Sequence, residues 1–134
     1  MAVLKSETVP LHSEEHIVRV RQTVRQWAIQ SGFSLVDQTK IVTAASELAR
    51  NTMTHGGGGT LLLEALNDGP RRGLRLTFMD QGPGIPDIEQ AMQDGFTTSG
   101  GLGLGLSGSK RLVNEFTIES RPGAGTRVTI ARWK

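Results

Sequence analysis

Leu74-Arg75-Leu76-Thr77-Phe78-Met79-Asp80-Gln81-Gly82-Pro83-Gly84-Ile85-Pro86 is the stretch on which the fold turns. Leu74, Leu76 and Phe78 alternate with polar residues, the period of a strand with one buried face. After Asp80 that pattern cannot continue, because glycine admits dihedrals other residues avoid and proline donates no ladder hydrogen bond. The chain must leave the sheet there, and the strand delivers a carboxylate, Asp80, to its end. A carboxylate so placed can accept a hydrogen bond from an exocyclic amine such as that of adenine, while the glycines let a flat ring lie close to the backbone. Taken alone, the segment reads equally well as a tight turn with a surface aspartate.

Upstream, residues 60 to 66 form another strand, and the turn-rich segment 67 to 73 makes the pair a hairpin. Two amphipathic helices precede it. Ser13 is placed to cap the first, with Glu14 and Glu15 in its first turn, and Ile17, Val20, Val24, Trp27 and Ala28 form one stripe over about residues 14 to 31. Ser34 with Asp37 resembles a capping box for the second, which buries Ile41, Ala44, Ala45, Leu48 and Thr52 and ends near Gly56. Its opposite side holds Thr43, Glu47, Asn51 and Thr54. Residues 2 to 11 read as a short, poorly patterned strand. Downstream, the pattern predicts a short helix over 87 to 93, a loop over 94 to 103 and a third helix carrying Leu106, Leu112 and Val113. Strands over 116 to 120 and 126 to 133 close the chain, joined by Arg121-Pro122-Gly123-Ala124-Gly125. The order β-α-α-β-β-α-β-β predicts an α+β domain with helices covering one face of a largely antiparallel sheet. No repeat or linker interrupts the 134 residues, which read as one domain.

Composition narrows the function classes. The seventeen glycines cluster at 56 to 59, 82 to 84 and 100 to 108, which marks special loops rather than general disorder. Without cysteine there is no disulfide framework or thiolate metal site, which suits a reducing cytoplasm. No apolar run reaches membrane-spanning length, and a net charge of +2 with scattered basic residues is too weak a footprint for nucleic acid.

Three further constellations can carry chemistry. Glu47 and Asn51 lie one helical turn apart on the same face, so one could bind a metal while the other accepts a proton; an isolated pair of this kind is equally a solvated helix face. Gly100-Gly101-Leu102-Gly103-Leu104-Gly105 opens the third helix, where free N–H groups and the helix dipole favour phosphate; it reads also as a hinge. Gly103, Gly105 and Gly108 fit a dinucleotide-binding pattern, but no apolar strand precedes them, and Ser109-Lys110 reverses the order a P-loop needs. Gly123-Ala124-Gly125-Thr126 places a hydroxyl at the start of the last strand. His12, His16 and His55 lack partners at metal-ligand spacing and read as structural or surface residues.

In order along the chain, Ser46-Glu47-Leu48-Ala49-Arg50-Asn51, Asp80-Gln81-Gly82-Pro83-Gly84-Ile85, the glycine loop from Gly100 and Gly123 to Thr126 resemble the four nucleotide-binding boxes of the GHKL superfamily. The likeness spans residues 34 to 134, and its wording is most similar to the anti-sigma-factor serine kinase branch and the switch kinases of the stressosome. The resemblance implies a Bergerat fold, a two-layer sandwich of three main helices on one face of a mixed, largely antiparallel sheet. It implies ATP and Mg2+ as cofactors, with Glu47 as general base, Asn51 as magnesium ligand, and Asp80 as adenine reader assisted by Thr126. Gly82, Gly84 and Ile85 would admit the base, and Thr97, Gly101, Leu102, Gly103, Leu104 and Gly105 would lie along the nucleotide. The implied activity is transfer of the γ-phosphate to a serine or threonine of a STAS-domain anti-anti-sigma or stressosome-like protein. A sigma factor or a downstream phosphatase regulator is a further implied partner. Ser107, Ser109 and the glycines at 56 to 59 depart from the branch's pattern and bear on the partner surface rather than on ATP.

The alternative within the same resemblance is an anti-sigma factor that sequesters its partner with little catalysis. A histidine-kinase catalytic domain or an ATP-driven clamp fits less well, because the first helix begins near residue 14 and leaves no room before it for a dimerisation helix pair, while a clamp would need a transducer domain.

Overall fold

The computed structural model describes residues 1–85, 88, 92 and 104–134. The loop expected over 94 to 103, with Thr97, Gly101, Leu102 and Gly103, lies outside the described residues, as does most of the helix expected over 87 to 93. The elements are β1 (Ala2–Leu11), α1 (Glu14–Gln30), α2 (Leu35–Gly56), β2 (Gly59–Asp68), β3 (Arg71–Asp80), α3 (Leu104–Arg111), β4 (Glu115–Ser120) and β5 (Thr126–Trp133).

The strands form one sheet in the order β1-β2-β3-β5-β4. All four ladders are antiparallel, so the described sheet is antiparallel throughout rather than mixed. The reason lies in β5. It returns from β4 as a hairpin and inserts beside β3, which separates β3 from β4, the two strands that share a direction. β3 and β5 thereby become neighbours, and their ends bring Asp80 and Thr126 together.

β2 and β3 are longer than the alternation predicts. Asp68 pairs with Arg71, leaving Gly69-Pro70 as the whole connection. Gly69 has φ +59°, as the first position of a tight two-residue hairpin loop demands. β1 is an edge strand whose residues up to Thr8 keep solvent exposure, and only Val9 and Leu11 are buried. Its weak pattern follows, since most of it has no face covered by a helix; Pro10 is tolerable on such an edge.

α1 buries the predicted stripe Ile17, Val20, Val24, Trp27 and Ala28, and α2 buries Ile41, Ala44, Ala45, Leu48 and Thr52 with Val42 and Ala49. These pack against Leu61, Leu63, Leu74, Leu76, Phe78 and Ile130 of the sheet, each worth roughly 1.5–3 kcal/mol when fully buried. The Ser34 hydroxyl accepts the Asp37 N–H at 3.1 Å and caps α2, whereas Ser13 stands at the N-cap of α1 without a side-chain cap bond. Arg132 of β5 donates to the Leu112 carbonyl at 2.8 Å and to Asp37 Oδ1, tying the first turn of α2 and the segment after α3 to the sheet.

Candidate functional site

α2 packs over the end of the sheet where β3 ends and β5 begins, and a cavity of about 100 Å³ opens between them. Leu48, Asn51, Thr52 and His55 form its helical wall, and Phe78, Asp80, Thr126 and Val128 its sheet wall. Pro83, Gly84 and Ile85 from the loop after Asp80, with Leu106 of α3, complete it. The lining is apolar except for a few convergent polar groups, the usual make-up of a small-molecule site.

Asp80 is fixed by its neighbours. Its Oδ1 accepts the N–H groups of Gly82 at 2.9 Å and Thr126 at 3.2 Å, while Oδ2 takes no hydrogen bond among the described residues. One oxygen is therefore spent on orientation, and the other is left as an acceptor. Close packing enforces the position. A Cβ on Gly125 would lie 2.1 Å from the Asp80 carbonyl oxygen, and one on Gly82 would lie 2.7 Å from the Gly56 Cα. Gly84, at φ +79°, would meet the Arg121 carbonyl oxygen at 2.2 Å. The glycine requirement at 82 and 84 thus comes in the first place from backbones meeting in this loop.

The loop after Asp80 is held by the β4–β5 turn. Gly123 donates its N–H to the Pro83 carbonyl at 2.8 Å, and the Ser120 hydroxyl accepts the Ile85 N–H at 2.7 Å. Ser120 Oγ also lies 3.1 Å from the Gly125 carbonyl and 2.9 Å from Thr126 Oγ1.

Asn51 faces the cavity, and its amide Nδ2 is buried without a partner among the described residues. Such an orphan donor suits a phosphate oxygen, and the amide oxygen is a neutral donor of the hard kind magnesium takes. Among the described residues no group of three His, Cys, Asp or Glu side chains is placed to hold a metal. A magnesium ion bound mainly by phosphate oxygens and water needs no such group, so the residues present fit it. Glu47 is exposed one turn before Asn51 and does not line the described cavity. Beside it, Arg50 forms two hydrogen bonds with Glu14, at 2.7 and 3.3 Å. That hydrogen bonding holds the Glu14 carboxyl below the usual carboxylate value and raises Arg50, with the nearby Glu47 charge adding a smaller push on Arg50.

The structure thus gathers Asn51, Asp80, Gly84, Ile85 and Thr126 at one cavity, with Gly82 behind Asp80 and Glu47 just outside. Leu104 and Gly105 begin α3. His55, read from sequence as structural or surface, lines the cavity, and its Nε2 is buried without a partner among the described residues. Its spacing carried the signal, because Glu47, Asn51 and His55 recur every fourth residue on one face of α2. No helix among the described residues is long and apolar enough to cross a membrane.

Residues 36–134 match the model of the histidine kinase-, DNA gyrase B- and HSP90-like ATPases. The chain is 48% identical to the serine/threonine-protein kinase RsbT of Bacillus subtilis, an alignment covering 93% of this chain and 94% of that one. It is 32% identical to the anti-sigma F factor of a Thermoanaerobacter species, over 84% of this chain and 82% of the relative. Among solved structures, the RsbU and RsbW domains of Rv1364c from Mycobacterium tuberculosis share its fold with a TM-score of 0.65 and 23% identity, covering 96% of this chain and 32% of that one.

Proposed function

The chain belongs to the histidine kinase-, DNA gyrase B- and HSP90-like ATPase family, and from that premise we propose that it moves the γ-phosphate of ATP onto a serine or threonine of a STAS-domain regulatory protein. The observation that carries this reading is the half-satisfied carboxylate of Asp80, facing a small cavity whose opposite wall presents Asn51. A base with an exocyclic amine fits the acceptor, and phosphates then run toward the start of α3, where a helix N-terminus and its dipole favour anions.

In this reading Glu47 takes the proton of the incoming hydroxyl as its oxygen bonds to the γ-phosphorus. The bond to the bridging oxygen breaks, and ADP leaves. Positioning and charge neutralisation carry most of such a transfer. Magnesium, held by the Asn51 amide oxygen together with the phosphates, would offset their charge. The exposure of Glu47 suits a base that must meet a protein side chain rather than a buried water. We place the reaction in the cytoplasm and read the whole chain as one ATP-binding unit; a sigma factor or a phosphatase regulator is a further partner in the same scheme.

The test is incubation of the protein with γ-labelled ATP and magnesium together with a STAS-domain protein, followed by location of the label. Label on a serine or threonine of that protein supports the reading. Nucleotide-dependent capture of the partner with no transferred label would replace it with sequestration, the activity suggested by the name of the anti-sigma F relative.

A further inference from the structure

We infer that Ser120 sets which purine the cavity accepts, by fixing the direction in which the Thr126 hydroxyl points its hydrogen; this rests on the nucleotide reading above. Ser120 is a positioning residue here, since it acts through Thr126 and does not line the cavity itself.

The argument is one of counting donors and acceptors. The Ser120 oxygen has one hydrogen and two lone pairs. One lone pair receives the Ile85 N–H at 2.7 Å. Its neighbours at 3.1 and 2.9 Å are the Gly125 carbonyl, which can only accept, and the Thr126 hydroxyl, which can do either. The other donor to the Gly125 carbonyl is the Arg121 N–H, at a long 3.4 Å, so that carbonyl depends on Ser120 for a good hydrogen bond. Every group is satisfied in one arrangement: Ser120 donates to Gly125, and Thr126 donates to Ser120. With its hydrogen so engaged, Thr126 turns only lone pairs toward the cavity.

Beside it, Asp80 Oδ2 is also an acceptor. The recognition edge therefore offers acceptors alone. At C6 a 6-amino purine sets a donor against this edge, whereas a 6-oxo purine sets a carbonyl there and carries its donor on N1 instead, one ring atom away. If the Ser120 hydroxyl is removed, the Thr126 hydrogen is free to turn into the cavity and donate to a 6-oxo group.

The experiment measures equilibrium binding of Mg-ATP and Mg-ITP to the full chain and to Ser120→Ala, Thr126→Val and the double variant. The native protein should prefer ATP, and Ser120→Ala should narrow the ATP-to-ITP affinity ratio by about five- to tenfold, the worth of roughly one hydrogen bond. Thr126→Val should narrow it as well, and adding Ser120→Ala to Thr126→Val should change the ratio no further, because the two act through one hydroxyl. A Ser120→Ala protein that weakens both nucleotides alike, or that changes the ratio independently of Thr126, overturns the inference. If Ser120→Ala does not fold, Thr126→Val still decides, since it keeps the Ser120 bonds to Ile85 and Gly125; an unchanged ratio there also overturns it. Native protein that binds neither nucleotide would sink the nucleotide reading itself, an outcome distinct from normal ATP binding with an unaltered ratio.

Discussion

Gly56 at the end of α2 and Asp80 at the end of β3 meet so closely that a methyl group on Gly56 would lie 2.3 Å from the Asp80 Cγ and 2.5 Å from Oδ2. The helix end is thus the back wall of the carboxylate. Gly56→Ala should force Asp80 from its two N–H donors and lower ATP affinity more than tenfold, with an overpacking cost of about 1–3 kcal/mol in stability. Gly57→Ala is the control. Nothing lies within 4 Å of a Cβ there, but φ is +72°, so stability should fall by about 1–2 kcal/mol while ATP affinity holds. Calorimetric titration and thermal melts of both variants check this; equal ATP affinities would remove the packing argument.

Asp80→Asn tests the adenine assignment with little change in shape. Because Gly82 and Thr126 both donate to Oδ1, the amide oxygen of an asparagine would take that side and its NH2 group would face the cavity. A donor would then oppose the adenine amine. ATP affinity should fall by roughly ten- to a hundredfold while the melting transition changes little. Unaltered affinity would show that adenine is read elsewhere.

The helices are legible in the sequence because their burial repeats every three or four residues, and each residue of the stripe from Ile17 to Ala28 is buried. The hairpin is legible because Leu74, Leu76 and Phe78 alternate. β1 is legible as a strand over 2 to 11 but not in its facing, because its exposed edge removes the selection for alternation and a register shift between Val3 and Lys5 interrupts its pairing with β2. Asp80 stands out in the sequence through the glycines that follow it, yet the duties of the glycines packed around it do not: Gly125 and Gly56 crowd Asp80 from chain segments far away in sequence. Ser120 escapes local reading for the same reason, and His55 shows only through its four-residue spacing from Asn51 on α2. A histidine before four glycines looks solvent-facing until Asp80 and Leu106 arrive to enclose it, and a serine ending a strand shows no purpose until Ile85 and Thr126 pack against it.

The Asp37–Arg132 pair predicts how acid acts on the fold. The Arg132 hydrogen bond, with help from its charge, the Ser34 hydroxyl and nearby Lys40, outweighs partial burial and holds the Asp37 carboxyl below the usual carboxylate value of 3.8. A depressed pKa in the folded state means the pair's stabilisation is fully present above that ordinary value and is lost as pH falls through the lowered one. Asp37→Asn should therefore melt below the native protein by a constant margin at neutral pH, and the margin should shrink as pH drops below about 4. A margin that stays the same down to pH 2, measured by thermal melts in a pH series, would show that the pair contributes nothing through its charge.

Glu47 and Asn51 can be separated although they share one face of α2. Asn51 lines the cavity with its amide buried, whereas Glu47 stands a turn away in solvent. Glu47→Gln keeps the shape and removes the proton acceptor, so ATP binding should be unchanged while transfer to the partner slows by about 10²–10⁴-fold, the usual worth of a general base. Asn51→Ala should instead weaken nucleotide binding, and more in the presence of magnesium than in its absence, because it deletes the amide oxygen proposed to hold the ion. The two variants then move different observables, affinity in one case and rate in the other. Should Glu47→Gln transfer phosphate at the native rate, the base would have to be sought elsewhere; the described cavity offers His55, on the same face of α2, as the next group to test.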